Sequence, residues 1–114
     1  MITQQHQRAD AITEAAAKEY NIPAQLIKDK GRKEPAPTAR HIAMAIIADQ
    51  LKWSSSKIGR YMGGRDHRTV FWGKKNVSNR YDTDEKYRER FARIVSNVAK
   101  AMQKISTEGA GTNE

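Results

Sequence analysis

The strongest signals for the fold lie in SSSKIGRYMGGRDHRTVFWGKKNVSN, residues 54–79. Its first half predicts a short helix capped by Ser54 or Ser55, and the glycine pair that follows predicts a turn. Asp66 is a good N-cap for a second helix, which we expect to run to about Asn79. The inward positions of that helix are expected at Val70, Gly73 and Val77. A short helix, a glycine turn and a basic second helix form the pattern of a helix-turn-helix.

Helical spacing also dominates the rest of the chain, and the alternation typical of strands is absent. An Ala-rich segment and a short segment after Pro23 each predict a helix. Thr38 is expected to cap a third helix that runs to about Leu51 and whose broad apolar face marks it as the central one. Asp82 and Thr83 are expected to precede a last long helix.

These elements predict an all-α domain of about six helices. We expect this single domain to cover residues 1–106. Residues 107–114 carry no apolar anchor and are expected to form a disordered tail.

The charge is basic and uneven along the chain. Among 114 residues, 21 Lys and Arg stand against 13 Asp and Glu, which gives a net charge of +8. Between Lys52 and Arg80 eight basic residues are opposed by Asp66 alone, and a second basic run covers residues 28–33. A solvated face is the ordinary explanation of such a run, but two runs that flank turns favour a site for a polyanion.

Composition excludes several other classes. Without Cys there is no disulfide framework, thiolate metal site or Cys nucleophile. His6, His41 and His67 show no pair at ligand spacing, so neither a metal nor another cofactor is expected. The densest apolar stretch is too short to span a bilayer, and the start does not resemble a signal peptide. We therefore expect a cytoplasmic, nucleoid-associated protein that binds nucleic acid, and not a membrane protein or an enzyme.

The second helix of the pattern carries the candidate contacts to DNA. Its N-terminal end offers free N–H groups and the positive end of the helix dipole, which favour phosphate. His67, Arg68 and Phe71 are expected to face outward there, with Lys74 or Lys75 one turn further on. Arg68 is long enough to pair with guanine O6 and N7. Trp53 is expected to pack at a helix end, whereas Trp72 is left open between the core edge and the DNA-facing side.

Two blocks of sequence resemble a known family. IGRYMGGRDHRTV, residues 58–70, resembles the IG-xxF-GGRDH-[ST]-TV signature of the DnaA C-terminal DNA-binding domain, domain IV. ARHIAMAI, residues 39–46, is similar to the ARQ-x-AM-x-L helix of that family, at nearly the same distance. The resemblance covers about residues 8–105.

The resemblance implies a Trp-repressor-like helical fold that binds double-stranded DNA at short A·T-rich DnaA boxes. It implies that Asp66, His67 and Arg68 approach base edges and phosphates, and that Thr69 contacts a phosphate. Arg32 of the basic loop would enter the adjacent minor groove, which is narrow in A·T-rich DNA. The helix that crosses the backbone would carry Lys57 and Arg60. The DNA-binding candidates are therefore Arg32, Lys57, Arg60, Arg65, Asp66, His67, Arg68, Thr69, Lys74 and Lys75.

This sequence departs from the family pattern in two ways. Arg68 stands where the family has Ser or Thr, so the preferred box is expected to differ. The 114 residues contain no G-x-x-x-x-G-K-[ST] loop, so this chain is not expected to hydrolyse ATP. The prediction is a small replication or transcription regulator, encoded by a phage or mobile element, or an excised domain of an initiator.

Two other functions are also compatible with the sequence. The domain could be a protein-interaction module for a replication or transcription partner, with weak or lost DNA binding. RNA binding is less favoured, because no RNA-binding motif is present. Oligomeric state is not predicted.

Overall fold

Six α-helices make up the part of the chain described by the computed structural model, which covers residues 3–112 and the side chains of residues 3–105. They are α1 (Gln4–Glu19), α2 (Gln25–Lys28), α3 (Ala36–Leu51), α4 (Ser55–Tyr61), α5 (His67–Thr83) and α6 (Glu85–Thr112). The described residues contain no strand, so the predicted all-α class and the number of helices are confirmed.

Helix α3 lies at the centre of the bundle. It contacts α1, α2, α4 and α5, and burial on several sides explains why its apolar face is broad. Its fully buried side chains include Ile42, Met44 and Ile47. The predicted position of this helix as the central one is therefore confirmed.

Helices α1 and α6 pack against each other along one side of the bundle. Ile94 and Val98 of α6 are fully buried and join the same apolar core as Ile12 of α1. An ion pair adds to this contact, because Arg93 Nη2 lies 2.8 Å from Glu19 Oε2.

The start of α3 differs from the prediction. The helix begins at Ala36, so Thr38 lies within its first turn and is not its N-cap. The carboxylate of Glu34 takes the capping role, since Glu34 Oε1 accepts hydrogen bonds from Thr38 N at 3.2 Å and from Thr38 Oγ1 at 2.6 Å. Pro35 and Pro37 are compatible with a first turn, whose N–H groups need no helical partner.

The junction between α5 and α6 is also displaced from the prediction. Helix α5 continues to Thr83, four residues beyond Asn79, and Asp84 begins α6 by accepting a hydrogen bond from Tyr87 N at 3.1 Å. The backbone of α6 is helical through Thr112, and residues 113–114 lie outside the described residues. The boundary of the domain at residue 106 and the disordered tail stay predictions.

Candidate nucleic-acid interface

Helix α4 begins as the sequence predicts. Ser54 is the N-cap, and its hydroxyl accepts a hydrogen bond from Lys57 N at 3.1 Å. Ile58 and Met62 are fully buried, so α4 packs against the core. Lys57 and Arg60 remain exposed on its outer side.

The turn between α4 and α5 requires its glycines. The carbonyl oxygen of Gly59 accepts hydrogen bonds from Gly64 N at 3.0 Å and Arg65 N at 2.7 Å. A Cβ atom on Gly59 would lie 2.0 Å from the carbonyl oxygen of Arg65, so no side chain fits there. Gly63 and Gly64 have φ angles of +86° and +81°, in the left-handed region that favours glycine. The close approach of the two helices therefore depends on this motif.

Asp66 caps helix α5 and fixes its direction. Its Oδ1 accepts a hydrogen bond from Arg68 N at 2.7 Å and lies 3.4 Å from Nδ1 of His67. Val70, Gly73 and Val77 are buried, as the sequence predicts. His67, Arg68 and Thr69 are exposed in the first turn. The structure thus presents three of the predicted contact residues together at one helix end.

The outward face of α5 continues beyond this first turn. Lys75 is exposed, whereas Lys74 is only half-exposed. Trp72, whose place the sequence left open, is 64% exposed, so it does not belong to the core. Trp53 is buried at a helix end, as expected, and Lys57 Nζ lies 4.3 Å from the centroid of its ring.

The loop between α2 and α3 carries Arg32, and a buried arginine holds this loop in place. Arg40 of α3 donates hydrogen bonds to the carbonyl oxygens of four residues, Leu26, Ile27, Asp29 and Gly31, at 2.6–3.2 Å. Burial lowers the pKa of Arg40, and the neighbouring guanidinium of Arg65 lowers it further. No local sequence signal indicates this role of Arg40, because its acceptors lie nine to fourteen residues away.

Arg65 holds the same loop from the other side. Its guanidinium donates hydrogen bonds to the backbone carbonyl oxygens of Lys28, Asp29 and Met62. Burial lowers the pKa of this group also. Arg65 is therefore engaged with the protein's own backbone, unlike the other arginines of the candidate set.

The candidate contacts on the α2–α3 loop and those on helix α5 border the same cleft. It lies between the α2–α3 loop and the first turn of α5, and Arg32 and Thr69 both line it. His41 lies in the same cleft, and burial followed by the charge of Arg40 lowers its pKa. Two segments that are 37 residues apart in sequence are thus neighbours in space.

The described residues hold no cluster of three or more His, Asp or Glu side chains that is suited to a metal ion. Among these residues no helix is long and apolar enough to cross a membrane.

Comparisons with known proteins agree with this geometry. The profile of the family described as "Bacterial dnaA protein helix-turn-helix" matches residues 9–77, more than half of the chain. The chromosomal replication initiator protein DnaA of Roseiflexus castenholzii is 32% identical over 85 residues, which are 75% of this chain and 18% of that protein. That of Bacteroides thetaiotaomicron is 32% identical over 91 residues, which are 80% of this chain and 19% of that protein. The chain therefore spans about a fifth of the length of these relatives.

Proposed function

The chain belongs to the family of bacterial DnaA helix-turn-helix domains, and we propose that it recognises A·T-rich, DnaA-box-like duplexes by sequence. The domains of this family bind DNA and are not catalytic. In this proposal α5 enters the major groove with its N-terminal end towards the bases, while α4 crosses the backbone. Arg32 enters the adjacent minor groove.

The observation that carries the proposal is the shared cleft between the Arg32 loop and the first turn of α5. A duplex that received α5 in its major groove would bring the neighbouring minor groove to the side of the helix. The hydrogen bonds from Arg40 and Arg65 hold the loop on that side. A cation that is placed before binding loses less conformational entropy when it contacts DNA.

Each candidate residue has a role in this proposal. His67 and Arg68 contact base edges, and Thr69 contacts a phosphate near the helix N-terminus. Asp66 approaches the bases while it caps the helix. Backbone phosphates are contacted by the remaining cations, the exposed Lys57, Arg60 and Lys75 and the half-exposed Lys74. We assign Arg65 to holding the loop that carries Arg32.

We further propose that the chain acts as a small regulator of replication or transcription by occupying such sites. The 114 residues contain no phosphate-binding loop, so occupancy of DNA is the activity that these residues supply. This role implies a nucleoid-associated location in the cytoplasm.

Selection of bound duplexes from a random pool tests sequence recognition. We expect an enriched A·T-rich motif, and fluorescence polarisation should show tighter binding to the enriched duplex than to its scrambled version. Equal affinity for both would contradict sequence recognition. In that case, capture of a replication or transcription protein that survives substitution of Arg32, His67 and Arg68 would identify an interaction module.

Two matched variants separate base contacts from phosphate contacts. Arg68→Ala should relax preference at one base pair, with about 1–3 kcal/mol of discrimination lost. Lys75→Ala should weaken all sequences alike and reduce the slope of log affinity against log salt by about 0.9. An equal loss of preference in both variants would contradict the assigned roles.

A further inference from the structure

Two large aromatic side chains occupy the middle of the outward face of α5. Phe71 is 52% exposed and Trp72 is 64% exposed. Their ring centroids lie 5.4 Å apart with an interplanar angle of 81°, so the rings meet edge to face. Among the described residues these are the most exposed of the large apolar side chains. Neighbouring exposed aromatics of this size mark a binding surface more often than isolated apolar residues do.

The core does not require this pair. The side of α5 that packs against the bundle carries Val70, Gly73 and Val77, all of which are buried. At 100° per residue, Phe71 and Trp72 point away from that side. Their rings therefore remain available to a ligand.

The surroundings of the pair indicate the charge of the ligand. Arg68 lies one helical turn before Trp72, and Lys75 lies one turn after Phe71; both cations are exposed on the same face. Apolar rings beside exposed cations fit a polyanionic surface that also presents apolar groups. The major groove of A·T-rich DNA has this arrangement, because thymine methyl groups line its floor and phosphates line its walls.

We propose that Phe71 and Trp72 contact thymine C5-methyl groups in the major groove and thereby determine part of the sequence preference. This inference rests on the proposed function and extends it beyond the first turn of α5. The thymine methyl is the one apolar group that the base pairs present in this groove, so it is the group that an aromatic ring selects. It also supplies an apolar contact near Arg68, where the family has a small Ser or Thr.

The geometry favours a duplex over a single strand. Platforms for successive unpaired bases need rings that each offer a free face in a charged groove. Here the rings are nearly perpendicular and lie on the exposed face of α5. A helix of about 10–12 Å in diameter fits a major groove of about 12 Å.

The test removes the methyl group alone. In the duplex enriched from the random pool, each thymine is replaced in turn by deoxyuridine, which keeps every hydrogen-bonding edge and every phosphate. Binding of the wild-type chain, Phe71→Ala, Trp72→Ala and the control Lys75→Ala is measured by fluorescence polarisation. Because all three side chains are exposed, the variants should keep their helical circular dichroism and urea midpoint.

We expect deoxyuridine to weaken wild-type binding about fourfold at one or more thymines, as the loss of one buried methyl predicts. At those positions Phe71→Ala or Trp72→Ala should show less than about half of that loss. Lys75→Ala should bind every duplex more weakly but keep the full methyl dependence.

Three results would overturn the proposal in distinguishable ways. The same methyl dependence in the wild type and both aromatic variants would overturn this inference and leave sequence recognition standing. A loss of binding to oligo(dT) in Trp72→Ala, with unchanged binding to the duplex, would assign the rings to single strands. A random pool without enrichment would contradict the proposed function and this inference with it.

Discussion

The guanidinium groups of Arg40 and Arg65 meet at one backbone atom, the carbonyl oxygen of Asp29. Arg40 Nη2 donates to this oxygen at 2.8 Å from the central helix, and Arg65 Nη2 donates to it from the turn before α5. Two like charges repel at this distance, and the repulsion helps to lower the pKa of Arg40. The carbonyl oxygens of the loop offset that repulsion. The loop that carries Arg32 is thus held by the core and by the helix-turn-helix together.

Replacing Arg65 by alanine should loosen this loop. We expect the free energy of unfolding to fall by about 1–2 kcal/mol, because hydrogen bonds from a charged, partly buried donor are lost. Urea unfolding measures this change. Arg60→Ala is the matched control, since it removes an exposed arginine of the same motif, and its stability should change by less than about 0.5 kcal/mol.

Arg65→Ala should weaken DNA binding indirectly, because the loop that carries Arg32 is no longer held in place. In a double-mutant cycle, Arg65→Ala should cost less affinity when Arg32 is already alanine. Additive losses would instead mean that Arg65 contacts DNA itself.

Gly63 and Gly64 provide a matched pair for the turn. Both have positive φ angles, but a Cβ atom on Gly63 would lie 2.3 Å from the carbonyl oxygen of Lys28, whereas one on Gly64 would meet nothing within 4 Å. We expect Gly64→Ala to cost about 1–2 kcal/mol from backbone strain alone. Gly63→Ala should cost more, because the loop at Lys28 must also move.

Urea unfolding of the two glycine variants checks this difference. Equal losses of stability would show that the approach of Lys28 to the turn is not important in solution.

Two substitutions of Asp66 distinguish the stabilisation by its N-cap hydrogen bond from the stabilisation by its negative charge. Asp66→Ala should lower the free energy of unfolding by about 1 kcal/mol, because Arg68 N loses its acceptor. Asp66→Asn keeps an acceptor oxygen and should remain within about 0.5 kcal/mol of the wild type. Thermal or urea unfolding distinguishes the two, and an asparagine variant as unstable as the alanine variant would assign the stabilisation to the charge.

His41 should make stability depend on mildly acidic pH. Burial, and then the charge of Arg40, lowers the pKa of this imidazole below its ordinary value of 6.5. A lowered pKa in the folded state means that the unfolded chain takes up the proton first. The contribution of His41 to the free energy of unfolding is therefore present above about pH 6.5 and is lost as the pH falls.

His41→Gln should flatten the stability curve over this range. Urea unfolding between about pH 7.5 and pH 5.5 measures the slope in the wild type and in the variant. Parallel curves would show that His41 does not contribute to the pH dependence.

Much of the helix-turn-helix could be predicted from the sequence because its signals are local. Ser54 and Asp66 cap backbone N–H groups two or three residues ahead, so their roles can be inferred from a short window. The buried positions Val70, Gly73 and Val77 follow from helical periodicity in the same way. The prediction for Thr38 was wrong, because Glu34 reaches into the first turn of α3 and supplies a competing acceptor.

Local sequence suffices to predict the helical class, the capped turn and the basic second helix, because each depends on residues within one or two turns of each other. Long-range packing is needed to bring Arg40 and Arg65 to the Arg32 loop, since Arg65 and its acceptor Asp29 are 36 residues apart. The exposure of Trp72 also depends on tertiary packing, because the periodicity of α5 predicts its buried side but not how far α3, α4 and α6 cover the flanks of that side. Local sequence specifies the elements, whereas long-range packing specifies which of their side chains remain free for a partner.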